Sequence, residues 1–307
     1  MRLLITGGAG CLGSNLIEYY LPHGHEIMVI DNFATGKKEV VPEMKGLQVI
    51  TGTISDKELV DRTFSEFKPT HVIHSAAAYK DPDNWIEDSE TNIIGTINVA
   101  KAAMEYKVER LINFQTALCY GRPEILPIPV TNPLRPFTSY GISKTAGEAY
   151  LLNSGLPVVS LRLANICGPR LAIGPIPTFY KRLKNNQSCF CSDTVRDFLD
   201  MSDFLSLMDM IFEQKEQNGV FNVSTGEGHS IKELYKVVAD YLSLDAPEVP
   251  VVPAGADDVP KVVLDPSNTT EIFGWKARIS FRDTIYKQLE WYDKYGISDV
   301  FSHLKQS

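Results

Sequence analysis

The chain has 307 residues, 44% apolar and 22% charged, with 21 glycines and 18 prolines. That length suits two domains, or one large α/β domain with a smaller companion, and the composition excludes a collagen-like, coiled-coil or largely disordered chain. Thirty Lys and Arg against 38 Asp and Glu leave a net charge of −8, with no basic run longer than Lys37-Lys38. This argues against nucleic acid as a partner, because neutralising phosphates needs a clustered positive field, but it leaves room for local anion sites on backbone amides.

No apolar run approaches the roughly 18 residues of a membrane span, so no membrane partner is expected. Met1-Arg2-Leu3-Leu4-Ile5-Thr6 runs into a glycine loop, not into a small-residue cleavage site, so a cytoplasmic location is expected. Cys11, Cys119, Cys167, Cys189 and Cys191 are too few and too scattered for a disulfide framework, and Cys189-Phe-Cys191 reads as alternation on a strand. No histidine pair has metal-ligand spacing, so no metal is expected.

In chain order, short apolar runs predict strands over 2–6, 26–31, 47–50, 71–76, 111–116 and 157–164, with amphipathic segments between them. Such alternation is the pattern of βαβ units around a parallel sheet. The first helix follows the glycine loop and stops at Pro22 and Gly24; another starts at a capping box, Ser55-Asp56-Lys57-Glu58. A long helix over about 85–106 carries Ile93, Ile97, Ala100 and Met104, read as one apolar stripe facing the sheet. After about 165 the segments become proline-broken, with a helix near 202–214, a strand over 220–224, a helix opened by the capping box Ser230-Ile-Lys-Glu233 and a last helix over about 281–294.

Gly7-Gly8-Ala9-Gly10-Cys11-Leu12-Gly13 lies between the first strand and the first helix, the context a dinucleotide-binding fingerprint requires. The glycines allow a tight turn and close approach to a pyrophosphate, and the helix N-terminus offers amides to it. Asp31, eighteen residues after Gly13 at the end of the second strand, can accept hydrogen bonds from ribose hydroxyls and repels a 2′-phosphate, which favours NAD over NADP. Thr53-Ile54 and Ser75-Ala76-Ala77 follow the third and fourth strands as further cofactor contacts. Tyr140 and Lys144 stand four residues apart, on one face of a helix. A free phenol has a pKa of about 10, and lowering it by about three units takes roughly 4 kcal/mol, for which a lysine and an oxidised nicotinamide are sources.

The set Thr6–Gly13, Asp31-Asn32, Gln115-Thr-Ala-Leu-Cys-Tyr-Gly121 and Tyr140-x-x-x-Lys144 resembles the extended short-chain dehydrogenase/reductase family, in particular its nucleotide-sugar epimerases and dehydratases. Arg162-Leu-Ala-Asn165, Val195-Arg-Asp197 and Ala256-Asp-Asp-Val-Pro260 look like that family's substrate half, and the likeness is greatest to bacterial enzymes encoded with lipopolysaccharide O-antigen genes. The resemblance implies a Rossmann-type doubly wound parallel sheet with a smaller C-terminal α/β substrate domain. The expected division is a cofactor domain over 1–164, joined by about 197–225, and a mainly nucleotide-sugar-binding domain over 165–307. It implies Tyr140 as general base, Lys144 as its electrostatic partner and ribose ligand, and Thr116 bridging Tyr140 and the sugar. Cofactor contacts would also come from Asn32, Thr35, Gly36, Tyr79 and Asn92, and substrate contacts from Lys80, Asn165, Arg196 and Asp258. Lys80 is a candidate partner for a uronic carboxylate or another polar sugar substituent. A homodimer through the helices over 85–106 and around Tyr140 is also implied.

The departures narrow the chemistry. Gln115-Thr116 replaces the family's usual Ser-Ser pair, Thr53 its usual Asp, and Gly255 an Arg expected about three residues before Asp258. Ala117-Leu118 stands where members resembling 4,6-dehydratases carry Asp-Glu. What remains is 4-epimerisation of a UDP-linked hexose, N-acetylhexosamine or hexuronate through a 4-keto sugar; the alternatives are a dehydratase or an NAD(P)H-dependent 4-keto-sugar reductase.

Overall fold

The computed structural model describes residues 1–41, 44–245, 248–255, 258–298 and 300. In chain order the strands are β1 (Arg2–Thr6), β2 (Glu26–Asp31), β3 (Leu47–Thr51), β4 (His71–His74), β5 (Arg110–Thr116), β6 (Val158–Leu163), β7 (Asn165–Cys167), β8 (Cys191–Ser192), β9 (Val195–Arg196), β10 (Phe198–Asp200), β11 (Gly219–Val223), β12 (His229–Ser230), β13 (Val251–Val252) and β14 (Lys261–Val262). The main helices are α1 (Cys11–Tyr20), α2 (Lys57–Phe67), α3 (Trp85–Ser89), α4 (Thr96–Glu105), α5 (Ser139–Leu152), α6 (Pro175–Lys184), α7 (Met201–Glu213), α8 (Ile231–Tyr241), α9 (Ser267–Phe273) and α10 (Phe281–Tyr295).

The chain divides into two compact units, one of Met1–Gly121, Val130–Leu163 and Met208–Asn222, the other of Arg122–Pro129, Ala164–Leu207 and Val223–Ser307. The first takes a shorter return segment than 197–225 and leaves out the loop before Val130. The main sheet has seven strands in the order β11-β6-β5-β4-β1-β2-β3, and the pairs from β3 through to β6 are parallel. The order reverses between β1 and β4, which makes this a doubly wound Rossmann-type sheet whose crevice for a ligand lies at the carboxyl ends of those two strands.

Nearly continuous burial of β1, β2, β4 and β5 fits strands covered on both faces. One face packs Leu4, Met28, Val72, Leu111 and Val158 against Phe64 and Phe67 of α2 and Val99 and Ala103 of α4. Arg110, 2% exposed, opens β5 by donating to the carbonyls of Ile211, Gln214, Lys215 and Gln217, so a buried cation serves as the C-terminal cap of α7.

Two local expectations need correction. The helix over 85–106 is α3, a π-helical turn over Glu90–Gly95, and α4. The wide turn shifts the helical register, so Val99, Ala102 and Ala103 are buried while Ile94 and Met104 are about half exposed. The stripe ending at Met104 therefore does not face the sheet as a whole. The N-cap of α2 is Asp56, which accepts from Leu59 N, while Ser55 pairs with Thr53. The capping box at Ser230 and Glu233 is formed in full.

The second unit collects α6, α8 and α10 around Phe179, Tyr180, Leu234, Tyr235, Leu289 and Tyr292, with Cys189 and Cys191 buried in the same core. Cys191 lies on β8, whereas Cys189 precedes it; none of the five cysteines is in a disulfide. Parallel β7 and β10 form one small sheet, and β9 pairs with both β12 and β14. Among the described residues, no helix is long and apolar enough to cross a membrane.

Candidate active site

The glycine loop is folded on itself as tightly as backbone permits. A Cβ on Gly7, whose φ is +70°, would stand 2.8 Å from the backbone of Ala76, and one on Gly13 would stand 2.4 Å from the carbonyl of Gly7. Gly10 is the N-cap of α1, which has no side-chain cap and no acidic residue in its first turn. A helix start of this kind leaves amides without intrahelical acceptors and carries a partial positive charge, which suits a diphosphate. The residues present therefore fit a dinucleotide.

Asp31 is 7% exposed, and its two oxygens accept from Ala9 N at 2.8 Å and Phe33 N at 2.7 Å. It thus ties the glycine loop to the turn after β2 while keeping lone pairs and a negative charge for a ribose. Asn32 turns the same loop by accepting from Ala34 N, and Gly36 lies so close to Ala9 that a Cβ would come within 2.7 Å. Thr35 hydrogen-bonds the phenol of Tyr79, linking the loop after β2 to the loop after β4. Ser75 N and Ala76 N bond to Thr6, which brings Ser75 and Ala76 against Gly7 at the carboxyl ends of β4 and β1. Thr53 is partly buried after β3, whereas the Ile54 side chain belongs to the core against Gly95.

Asn92 does not present its amide to this crevice. It is 1% exposed, exchanges two hydrogen bonds of 2.9 Å with the backbone of Ala78, and donates to Ser143 Oγ at 3.0 Å. Its place is behind the loop that carries Tyr79.

Thr116 closes β5 and Tyr140 lies in the first turn of α5, whose N-cap Thr138 accepts from Gly141 N. The Thr116 hydroxyl, which accepts from Leu118 N at 3.2 Å, stands close enough to the Tyr140 phenol to favour its phenolate. Burial pushes the phenol upward in pKa, the phenol of Tyr79 adds to this, and the Thr116 hydroxyl opposes it. The Tyr79 and Tyr140 rings meet edge to face at 6.1 Å. Lys144, one turn on and 5% exposed, is pushed down to about 8 by burial, with Glu148 pulling back. It therefore stays largely cationic at neutral pH.

Helix α5 carries two adjacent stripes at four-residue spacing. Tyr140, Lys144 and Glu148 form one, and it ends in a buried ion pair between Glu148 and Arg162 at 2.8 Å. Arg162, expected on the substrate side, is instead 5% exposed within β6, donating also to Tyr120 OH. Ser139, Ser143 and Gly147 form the other stripe, facing Asp88, Asn92 and Thr96.

Three contributing residues were not legible as such. Gln115 Nε2 donates to the carbonyl of Lys144 while its Oε1 accepts from Thr116 N, so one side chain joins the end of β5 to α5. His74 is fully buried between the hydroxyls of Thr6 and Thr96, at 2.9 Å from each. Asp88 accepts from Ser139 Oγ at 2.6 Å. Of these only Gln115 had a sequence signal, its replacement of a serine.

In the second unit, Arg196 and Asp258 pair with each other at 2.5 Å, and Arg196 also donates to the carbonyls of Val195 and Pro260. The neighbouring Asp197 binds Thr225 and Gly226. Asn165 is exposed, with its amide donating to the Asp197 carbonyl at 3.0 Å. Lys80 is exposed, next to Tyr79. Ala256 and Asp257 of the last motif lie outside the described residues.

A family model described as the NAD dependent epimerase/dehydratase family matches residues 3–224. The crystal structure of the Bordetella bronchiseptica enzyme WbmG in complex with NAD and UDP is 68% identical, with a TM-score of 0.95 over 100% of this chain and 99% of that one. A Thermotoga maritima UDP-glucose 4-epimerase, solved with UDP-glucose, is 28% identical with a TM-score of 0.88 over 96% of this chain and 99% of its own. The UDP-glucose 4-epimerase of Corynebacterium glutamicum is 28% identical over 90% of either chain.

Proposed function

This chain belongs to the NAD dependent epimerase/dehydratase family, and from that premise we propose that it interconverts the C4 epimers of a UDP-activated sugar through a transient 4-keto sugar. The observation that carries the reading is the Thr116 hydroxyl beside the Tyr140 phenol, with cationic Lys144 one turn on, next to a 3₁₀ turn in which Ala117 and Leu118 offer no acid or base for elimination. UDP and UDP-glucose in the related structures support the nucleotide.

NAD would be held by the glycine loop, Asp31 and the loops after β3 and β4, and when bound would supply the hydride acceptor and a positive ring that favours the phenolate. Thr116 orients the sugar's 4-hydroxyl and the phenol. Tyr140 takes the proton of the 4-hydroxyl, Lys144 stabilises the resulting phenolate, and Tyr140 returns the proton to O4 of the epimer. No net proton or electron is consumed. Arg196 is the candidate diphosphate ligand, since a partly buried guanidinium already oriented by Asp258 donates strong charge-assisted bonds, and Asn165 is the second. The resemblance to O-antigen enzymes supports a role in supplying activated sugar for cell-surface polysaccharide.

The test is to incubate purified protein with UDP-hexoses, UDP-N-acetylhexosamines and UDP-hexuronates without added cofactor and to follow C4 by NMR. Epimers are expected with no lasting NADH absorbance; a 4-keto-6-deoxy product, or net oxidation, would overturn the reading. Lys80→Ala in the same assay is expected to lose more activity on hexuronates than on hexoses, and equal losses would remove a carboxylate from its role.

Ile94 and Met104 on one side and Ile142 and Tyr150 on α5 are each about half exposed, on helices that pack together. We take this apolar face as the dimer contact. Light scattering is expected to give twice the chain mass of 34.2 kDa, and Met104→Lys with Ile142→Lys a monomer; a monomeric wild type would refute it.

A further inference from the structure

We propose that Asp88 is a positioning residue for Tyr140: through Ser139 it fixes the first turn of α5, and it sets a buried negative charge behind the phenol. The proposal rests on the reading of Tyr140 as the acid and base of the site.

The geometry is a pair of rungs. Asp88 and Asn92, four residues apart, bond Ser139 and Ser143, also four residues apart, at 2.6 and 3.0 Å. One turn further, the two backbones close up, since a Cβ on Gly147 would stand 2.4 Å from the Asn92 carbonyl. The rungs bracket Tyr140, whose position along α5 is therefore set from behind by Asp88 and Asn92 and from the front by Thr116.

The two rungs differ in kind. Asn92 is a neutral amide with both donors used. Asp88 is a carboxylate only 2% exposed, raised in pKa mainly by burial, with the Ser139 hydrogen bond opposing and the acidic groups Glu87 and Asp81 adding to the rise. A neutral acceptor would hold Ser139 at less desolvation cost than a buried charge. The charge has a consequence for the neighbouring phenol. The groups facing Tyr140 are Tyr79 from the loop after β4, Thr116 from β5, Cys119 from the turn after it, and Asp88 from α3, with Lys144 one turn along its own helix. Of these Asp88 and Lys144 are the charged pair, and they pull in opposite directions: Lys144 favours the phenolate and Asp88 the phenol. Burial makes Tyr140 an acid at rest, and the Asp88 charge adds to that hold on the proton while Lys144 and further positive charge at the site oppose it.

The experiment uses the NAD holoenzyme labelled with ¹³Cζ-tyrosine, the Tyr140 signal being assigned by its loss in Tyr140→Phe. Asp88→Asn keeps an oxygen acceptor for Ser139 and removes the charge, so its Tyr140 titration midpoint is expected to fall by about half a pH unit or more. The acid limb of kcat/KM should move down by the same amount. Ser139→Ala keeps the charge and removes the rung; it is expected to lower kcat several-fold with KM unchanged and no downward shift. A titration in Asp88→Asn that overlays wild type, or an unimpaired kcat in Ser139→Ala, would overturn the proposal. Because the NMR titration needs no sugar, a chain that failed to epimerise UDP-sugars would sink the functional reading without deciding this one.

Discussion

Tyr140→Phe is expected to lower kcat by about a thousandfold or more, with KM changed little and bound NAD retained. General acid–base catalysis by a positioned group is worth about 10² to 10⁴, and a thousandfold corresponds to about 4 kcal/mol of barrier. The upper part of that range applies because Tyr140 serves both half-reactions, taking the proton from O4 and giving it back. The substitution is conservative in packing: a phenyl ring keeps the edge-to-face contact with Tyr79, and α5 keeps its Thr138 cap and the Gln115 bond to the Lys144 carbonyl. What disappears is the hydroxyl partner of Thr116. Steady-state epimerisation measured by coupled assay, with cofactor content read from the denatured supernatant, checks both halves. A variant retaining more than a tenth of wild-type kcat would remove Tyr140 from the chemistry.

How much of this was legible depended on whether a property is local in the chain. The strands of the main sheet were readable because continuous apolar runs bounded by turns carry their own signal, and the glycine loop because only glycine permits its turns. Asp31, Thr116, Tyr140 and Lys144 stood out as candidates because each sits at a fixed offset from a strand end or a helical repeat. The π-helical turn after Ser89 was not readable, since nothing in Glu90–Gly95 announces five-residue spacing, and with it went the orientation of Met104. Asn92 was misjudged for a related reason. An asparagine on a helix looks alike whether its amide meets a ligand or a loop backbone 14 residues away. Arg162 is the same case with a charge: it was read within a motif of the substrate half, and only the fold reveals Glu148 beside it. Asp88, Gln115 and His74 act through partners from 22 to 68 residues distant, pairings that exist only once the parallel sheet is assembled.

The sheet also builds in acid sensitivity. Thr96 donates its hydroxyl proton to the Asn92 carbonyl at 2.7 Å, so it accepts from His74 Nε2–H; Nδ1 then accepts from Thr6, whose oxygen receives Ala76 N–H. Every donor and acceptor is used with the imidazole neutral, and a second ring proton would face the Thr6 hydroxyl proton. Burial pushes His74 down to about 3, and Lys144 adds to the effect. His71, also buried, is pushed down to about 4, again mainly by burial. The folded values lie below the unfolded value of about 6.5, so below that pH the unfolded chain binds protons that the native chain does not, and stability falls as pH falls. Between pH 7 and pH 5 each histidine contributes a loss of about 2 kcal/mol, or about 4 together. Asp197, raised to about 6 by burial, works the other way and returns about 1 kcal/mol over the same window. The net loss of about 3 kcal/mol is a large share of the roughly 5 to 15 kcal/mol of a typical fold. Urea unfolding followed by circular dichroism at pH 7 and pH 5 is expected to reveal it, and His74→Asn, though less stable at pH 7, should show only about half the histidine contribution to the slope. If wild type and His74→Asn lose the same stability between the two pH values, the neutral, twice-bonded His74 is not the source of the acid sensitivity.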